Sequence, residues 1–145
     1  MQKRAHMTLL FKVADKLTPV KKQISQTHIN QYAEASGDFN PIHIDPEFGR
    51  ASQFQGNIAH GMMIAATISE LMTKTFGIAW YETGTMKIRF KSPVFPGDTI
   101  TTSGEIRRIS TLSENVRTVH CNLEIRRQTE EIAIQATTEI QIEDY

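Results

Sequence analysis

The sequence predicts an α+β domain in which a curled antiparallel sheet wraps around one long, buried hydrophobic helix. Three observations carry that expectation. In "IAHGMMIAATISELMTKTFG" the residues Met62, Met63, Ile64, Ala65, Ala66, Ile68, Leu71, Met72 and Phe76 cover almost the whole circumference of a helix. A helix that is apolar all round is a buried one. From residue 79 onward the period changes to two: Val119, Cys121, Leu123 and Ile125 share a face, as do Ile132, Ile134, Ala136, Ile140 and Ile142. Such alternation buries one face and solvates the other, which marks an antiparallel sheet. Finally, 145 residues suit a single domain spanning 1–145. No repeat or linker divides them, so the sheet has to supply the helix's cover.

The elements follow in order. Residues 7–15, "MTLLFKVAD", read as a first strand, and the stretch to residue 24, with Pro19, as a polar connection. Ser25 or Thr27 caps a helix over residues 26–36, with Ile29, Tyr32, Ala33 and either Ala35 or Ser36 as its apolar face. Gly37 ends it. An irregular loop, "NPIHIDPEFGRASQFQGN", leads to the buried helix. After that helix, "TMKIRFK" alternates with Met86, Ile88 and Phe90 inward. "SPVFPGD" is a turn, and the glycine of "DTITTSGEIRRI" marks a bulge.

Composition narrows the function. Hydrophobic residues at 39% and charged residues at 22% support a packed core rather than disorder. Lys+Arg and Asp+Glu both number 16, so the basic excess usual in nucleic-acid binders is missing. The lone cysteine, Cys121, allows no intrachain disulfide and no cysteine metal site. It reads as a buried small hydrophobe in a reducing compartment. The N-terminal apolar patch is cut by Lys12 and is too short for a signal peptide. No stretch reaches membrane-spanning length. The expectation is a cytoplasmic protein with no membrane and no nucleic-acid partner.

Chemistry concentrates in "SGDFNPIH". Asp38 precedes His43 by five residues with Pro41 between them. Residues at i and i+5 do not stack on a helix, and an interior proline breaks one. The segment is therefore expected to be bent, aiming a carboxylate and an imidazole by backbone geometry. Two such groups converging on one water can remove and return its proton. That suits addition of water to an activated double bond, without metal or covalent intermediate. The division into acid and base stays open for such a coupled pair.

"SGDFNPIH", "AHGMM" about twenty residues later and "RFKSPVFPGDTI" together resemble the R-specific enoyl-CoA hydratases, the MaoC-like family. The resemblance runs from about Ile29 to the last strand. It implies the hot-dog fold and reversible syn addition of water to trans-2-enoyl thioesters of coenzyme A or acyl carrier protein, giving R-3-hydroxyacyl thioesters. The catalytic pair falls on Asp38 and His43. It also implies an edge-to-edge homodimer, with higher assemblies open, and no cofactor or metal.

Around this pair, the Gly61 N–H at the first turn of the buried helix is the expected donor to the thioester oxygen. Such a donor contributes roughly 3–4 kcal/mol. Met62, with Met63, belongs first to the core and second to the wall of an acyl tunnel. Asn40 is expected to bond loop backbone, and Pro41 to stiffen the bend. Ser69, eight residues after Gly61, supports the Asp38 loop. His60 is structural or orienting, and Tyr32 and Ser36 pack or cap. His6, His28 and His120 lie outside the constellation. Arg89, Lys91, Arg107, Arg108, Arg126 and Arg127 form a solvated strand face, one or two of which meet coenzyme A phosphates. Asp38, His43 and Asp45 form the nearest approach to a metal cluster, without the spacing of a known site. The competing functions are a hot-dog thioesterase, which has no use for this Asp-x-Asn-Pro-x-His register, and a non-catalytic acyl-thioester binding module.

Overall fold

The computed structural model describes residues 11–143. In chain order these form β1 (Val20–Gln23), α1 (Gln26–Ser36), α2 (Pro41–Ile44), α3 (Pro46–Ala51), α4 (Gly61–Phe76), α5 (Ile78–Thr83), β2 (Thr85–Phe90), β3 (Thr99–Ser113), β4 (Val116–Arg127) and β5 (Ile132–Glu143). The strands make one antiparallel sheet in the order β1-β3-β4-β5-β2, open at both edges.

The long helix α4 lies on this sheet. Its Ile68, Leu71, Met72 and Phe76 are buried with Ile100, Ile106, Ile125, Ile134 and Ile140 of the strands in one core. Burying each such side chain fully contributes about 1.5–3 kcal/mol. One polar contact fixes the helix's position: the Thr67 and Thr102 hydroxyls share a hydrogen bond of 2.7 Å inside the core. Cys121 is buried as expected, and burial pushes its thiol up to about 11.

The coverage of α4 is less complete than the sequence implied. Met62 is 60% exposed and Ala66 also faces solvent. An open sheet of five strands covers one side of a helix, and an apolar sequence pattern does not show which side stays uncovered. The same limit applies to β2. Met86, Ile88 and Phe90 do share a face, but Met86 and Phe90 are exposed because β2 is an edge strand.

Three local expectations are corrected. Residues 11–15 form a turn, in which the Asp15 carboxylate accepts from the Lys12 N–H at 3.0 Å; residues 7–10 of the expected strand lie outside the described residues. The first strand instead falls at Val20–Gln23, inside the stretch read as a connection, and it pairs with Thr99–Thr102. The β3 register shifts lie between Ile106 and Arg108 and between Thr111 and Ser113, not at Gly104. Gly104 serves close packing: a Cβ there would lie 2.7 Å from the Asn122 carbonyl oxygen and from Leu123 Cγ.

The turn before β3 is tied down by charge. Asp98, 5% exposed, accepts a two-pronged hydrogen bond from Arg127 at 2.7 and 3.2 Å. Gln128 and the Phe95 N–H add bonds at 2.7 and 2.8 Å. Burial alone would raise the Asp98 carboxyl, but these donors outweigh it and hold it below its ordinary value. A depressed carboxyl stabilises the fold above the unfolded-state value, about 3.9, and that contribution is lost as pH falls through the lower folded value. Asp98→Asn is expected to cost about 2 kcal/mol at neutral pH, since it leaves a mostly buried guanidinium with only the half-exposed Glu131, 2.8 Å away, as an ionic partner among the described residues. Urea unfolding at pH 7 checks this, and an unchanged midpoint would contradict it.

Candidate active site

The loop after α1 is built from side chains that mimic backbone. Gly37 takes the left-handed conformation, φ 77°, and closes α1 after its reciprocal cap between Ser25 and His28. The Asp38 N–H donates to Ser36 Oγ at 3.2 Å, and Asp38 Oδ1 accepts from the Asn40 N–H at 3.2 Å. Asn40 Oδ1 in turn accepts from the Ile42 N–H at 3.1 Å and caps α2. Asn40 thus has the backbone-bonding role expected of it. Pro41 occupies the first position of α2, where its missing N–H costs nothing. The proline therefore starts a single helical turn instead of preventing one. The loop read as irregular contains two short helices, α2 and α3.

His43 sits on that turn, 9% exposed. Its Nδ1 lies 2.7 Å from the Ile58 carbonyl oxygen. A carbonyl only accepts, so in neutral His43 the proton is on Nδ1 and the Nε2 lone pair is free. The backbone around it is pinned from three directions. Gln26 Nε2 donates to the His43 carbonyl at 2.8 Å. The Ile58 N–H donates to the Ile42 carbonyl at 3.2 Å. Asn57 Nδ2 donates to the carbonyls of Ile42 and Asp45 at 3.0 and 2.8 Å. Gly49 lets Asn57 approach, since a Cβ there would lie 2.6 Å from Asn57 Nδ2. Gln26 and Asn57 escaped the sequence reading because single amides carry no spacing signal.

Asp38 Oδ2 lies 4.0 Å from His43 Nε2. That exceeds a hydrogen bond, yet one water at about 2.8 Å from each would bridge them. The Asp38 side chain is 51% exposed in the single chain. His60 is 2% exposed; its ring stacks on that of His43 with centroids 3.9 Å apart, and its Nε2 lies 2.9 Å from the Asp38 carbonyl oxygen. Tyr32 touches the same ring, with centroids 4.7 Å apart.

The titratable cluster is Asp38, His43 and His60, with one ligand-type atom from each within 4.8 Å of the others. Asp45 is not part of it, because its carboxylate caps α3 through the N–H groups of Glu47 and Phe48. Stacked imidazoles hold their in-plane lone pairs nearly parallel, so the two rings converge poorly on one ion.

His43 and Gly61 line a cavity of about 280 Å³ whose other walls include Phe54, Ile58, Phe90 and Ile134. Gly61 opens α4, and His60 supplies no side-chain cap. The first N–H groups of a helix have no acceptor within it, so the Gly61 amide is available to a ligand. A Cβ on Gly61 would lie 2.7 Å from Phe90 Cε1. Met62 points to solvent and does not line the cavity. Ser69 is half-buried on α4 and makes no hydrogen bond to Asp38 among the described residues. A larger groove of about 730 Å³ lies on the other face of the sheet, among polar residues such as Lys87, Glu105 and Gln135, and includes no member of the cluster.

Residues 5–129 match the family described as MaoC like domain. The chain belongs to the MaoC-like family. It is 36% identical over 91 residues to a mitochondrial 3-hydroxyacyl-[acyl-carrier-protein] dehydratase of Arabidopsis thaliana, covering 63% of this chain and 53% of that protein. It is 34% identical over 88 residues to an (R)-specific enoyl-CoA hydratase of Aeromonas caviae, covering 60% of this chain and 65% of that protein. The matches thus span between half and two thirds of these relatives. The crystal structure of a protein titled monoamine oxidase regulatory protein, from Archaeoglobus fulgius, superposes with a TM-score of 0.81 at 25% identity, covering 93% of this chain and 92% of that one. The MaoC-like chain therefore has the hot-dog fold.

Asn57→Ala removes both amide ties under His43. It is expected to lower stability by about 2 kcal/mol and to speed amide exchange at Ile58 N–H. Denaturant melts with hydrogen exchange test this, and unchanged protection at Ile58 would remove Asn57 from the support of the site.

Proposed function

We propose that this MaoC-like protein is a hydro-lyase that adds water reversibly to trans-2-enoyl thioesters, carried on coenzyme A or acyl carrier protein, to give R-3-hydroxyacyl thioesters. The observation that carries the reading is the 4.0 Å gap between Asp38 Oδ2 and His43 Nε2, with His43 and the Gly61 N–H on one cavity. The two acceptors hold one water by both hydrogens. The water's lone pair is then left to attack C3 of the enoyl group. The proton it gives up rests on the dyad and returns to C2 on the same side, so addition is syn. Negative charge builds on the thioester oxygen and meets the Gly61 N–H. The reverse sequence dehydrates. The R configuration rests on the kinship with the (R)-specific hydratase.

The active form we propose is a homodimer joined along β2. Among the described residues this edge has no further strand partner, and it exposes Met86 and Phe90, an arrangement prone to pairing with a second sheet. Phe90 also lines the cavity, so a second copy would extend the acyl tunnel. We further propose a reducing compartment, for which the lone Cys121 is the support.

Crotonyl-CoA is the first substrate to test. Loss of the enoyl-thioester absorbance with formation of the R-3-hydroxy product is expected. Asp38→Asn and His43→Ala should each lower kcat by at least about 10²-fold with the fold intact. Gly61→Ala should also lower kcat while the melting temperature changes little, because Phe90 is exposed and can turn aside. Release of free thiol would mean a thioesterase. Tight binding of the thioester without turnover, unchanged in both dyad variants, would mean a binding module.

A further inference from the structure

We infer that His60 is a positioning residue that fixes both members of the dyad at once. This inference rests on the hydro-lyase reading for its kinetics but not for its spectroscopy. His60 Nε2 faces the Asp38 carbonyl oxygen at 2.9 Å. Since that oxygen can only accept, Nε2 carries the proton. His60 Nδ1 is buried with no hydrogen-bond partner among the described residues. A proton there would put a second N–H, and a charge, where nothing accepts it. In neutral His60 the tautomer is therefore Nε2–H.

Two consequences follow from where that ring lies. The hydrogen bond ties down the backbone of Asp38, whose side chain is half exposed and accepts from the Asn40 N–H. The ring lies flat against His43, at 3.9 Å and 28°, and so fixes the plane in which the His43 Nε2 lone pair points. Three elements converge on His60: Tyr32 from α1, Asp38 from the loop, and His43 from α2. Because His60 directly precedes α4, it is anchored by the helix whose first residue offers the Gly61 N–H. One side chain thus sets the spacing between the water-holding pair and the oxyanion donor. His60 itself touches no reacting atom in this scheme.

The test separates the hydrogen bond from the ring. Gln in place of His60 can still offer an N–H to the Asp38 carbonyl but does not stack as an imidazole. Phe stacks but donates nothing. His60→Phe is expected to lower kcat about 10²-fold with KM changed less than threefold, as a misplacement of about 1 Å would do. His60→Gln should recover about tenfold of that loss. In an Asp38→Asn background, His60→Phe should add less than twofold, because the two changes act through one device. Phe restoring activity as well as Gln would reduce His60 to a space filler and overturn the inference.

The second readout needs no substrate. In ¹⁵N-histidine spectra of the native protein at neutral pH, His60 should appear as the Nε2–H tautomer and His43 as the Nδ1–H tautomer. His60→Phe keeps a stacked ring but loses the N–H to Asp38, so the Asp38 carbonyl ¹³C signal should shift while His43 stays Nδ1–H on the Ile58 carbonyl. A native His60 protonated on Nδ1, or an unchanged Asp38 carbonyl signal in His60→Phe, would overturn the inference even if turnover is normal. Correct tautomers with no turnover of any enoyl thioester would sink the hydro-lyase reading and leave the assignment of His60 standing.

Discussion

One hydrogen bond sets the chemistry of this site: the 2.7 Å contact between His43 Nδ1 and the Ile58 carbonyl. It decides which ring nitrogen of neutral His43 holds the proton, and so which one faces Asp38 as an acceptor. With the proton on Nε2 instead, neutral His43 would turn a donor toward Asp38, and the pair would no longer offer two acceptors to one water. The fold's task is to keep residues 42–43 and 57–58 side by side. It does so with backbone bonds, the two amides of Gln26 and Asn57, and Asp45 capping the next helix.

The scaffold behind this is the burial of α4 on the open sheet. Ile68, Leu71 and Met72 have no exposed surface, so the helix cannot slide without exposing core. Its first residue, Gly61, is consequently fixed in space with an unspent N–H. The cavity wall opposite comes from β2 and the turn after it, where Ala59 N–H donates to the Val94 carbonyl at 2.7 Å. That turn is held in register by the Asp98–Arg127 pair. Stability elements and the reacting geometry are therefore distinct groups of residues joined through one rigid helix.

Much of this was legible in the sequence because it follows from periodicity or from turn chemistry. The α4 run, the strand alternation, Ser25 and Gly37 as caps, and the register of "SGDFNPIH" all obey local rules. Other features depend on tertiary context. β1 is four residues long and three of its side chains are exposed, so it has no hydrophobic pattern to betray it; its pairing with β3 defines it. The bulge after Ile106 follows from the fit of β3 to β4, and glycine alone pointed two residues too early. His60 reads in the sequence as structural or orienting beside Gly61, but no sequence rule shows that its ring stacks on His43. Met62 showed the opposite error: an apolar residue on an apolar helix that the open sheet leaves in solvent.

The central claim is that one carboxylate and one imidazole act on a single water from a single face of the double bond. The most direct measurement is the stereochemistry of hydration in D₂O. Crotonyl-CoA is hydrated and the product is examined by NMR for the relative placement of the C2 deuterium and the C3 hydroxyl. Delivery of both to the same face, with the R configuration at C3, is the result the account predicts. Deuterium on the opposite face would require an acid away from the dyad and would contradict it.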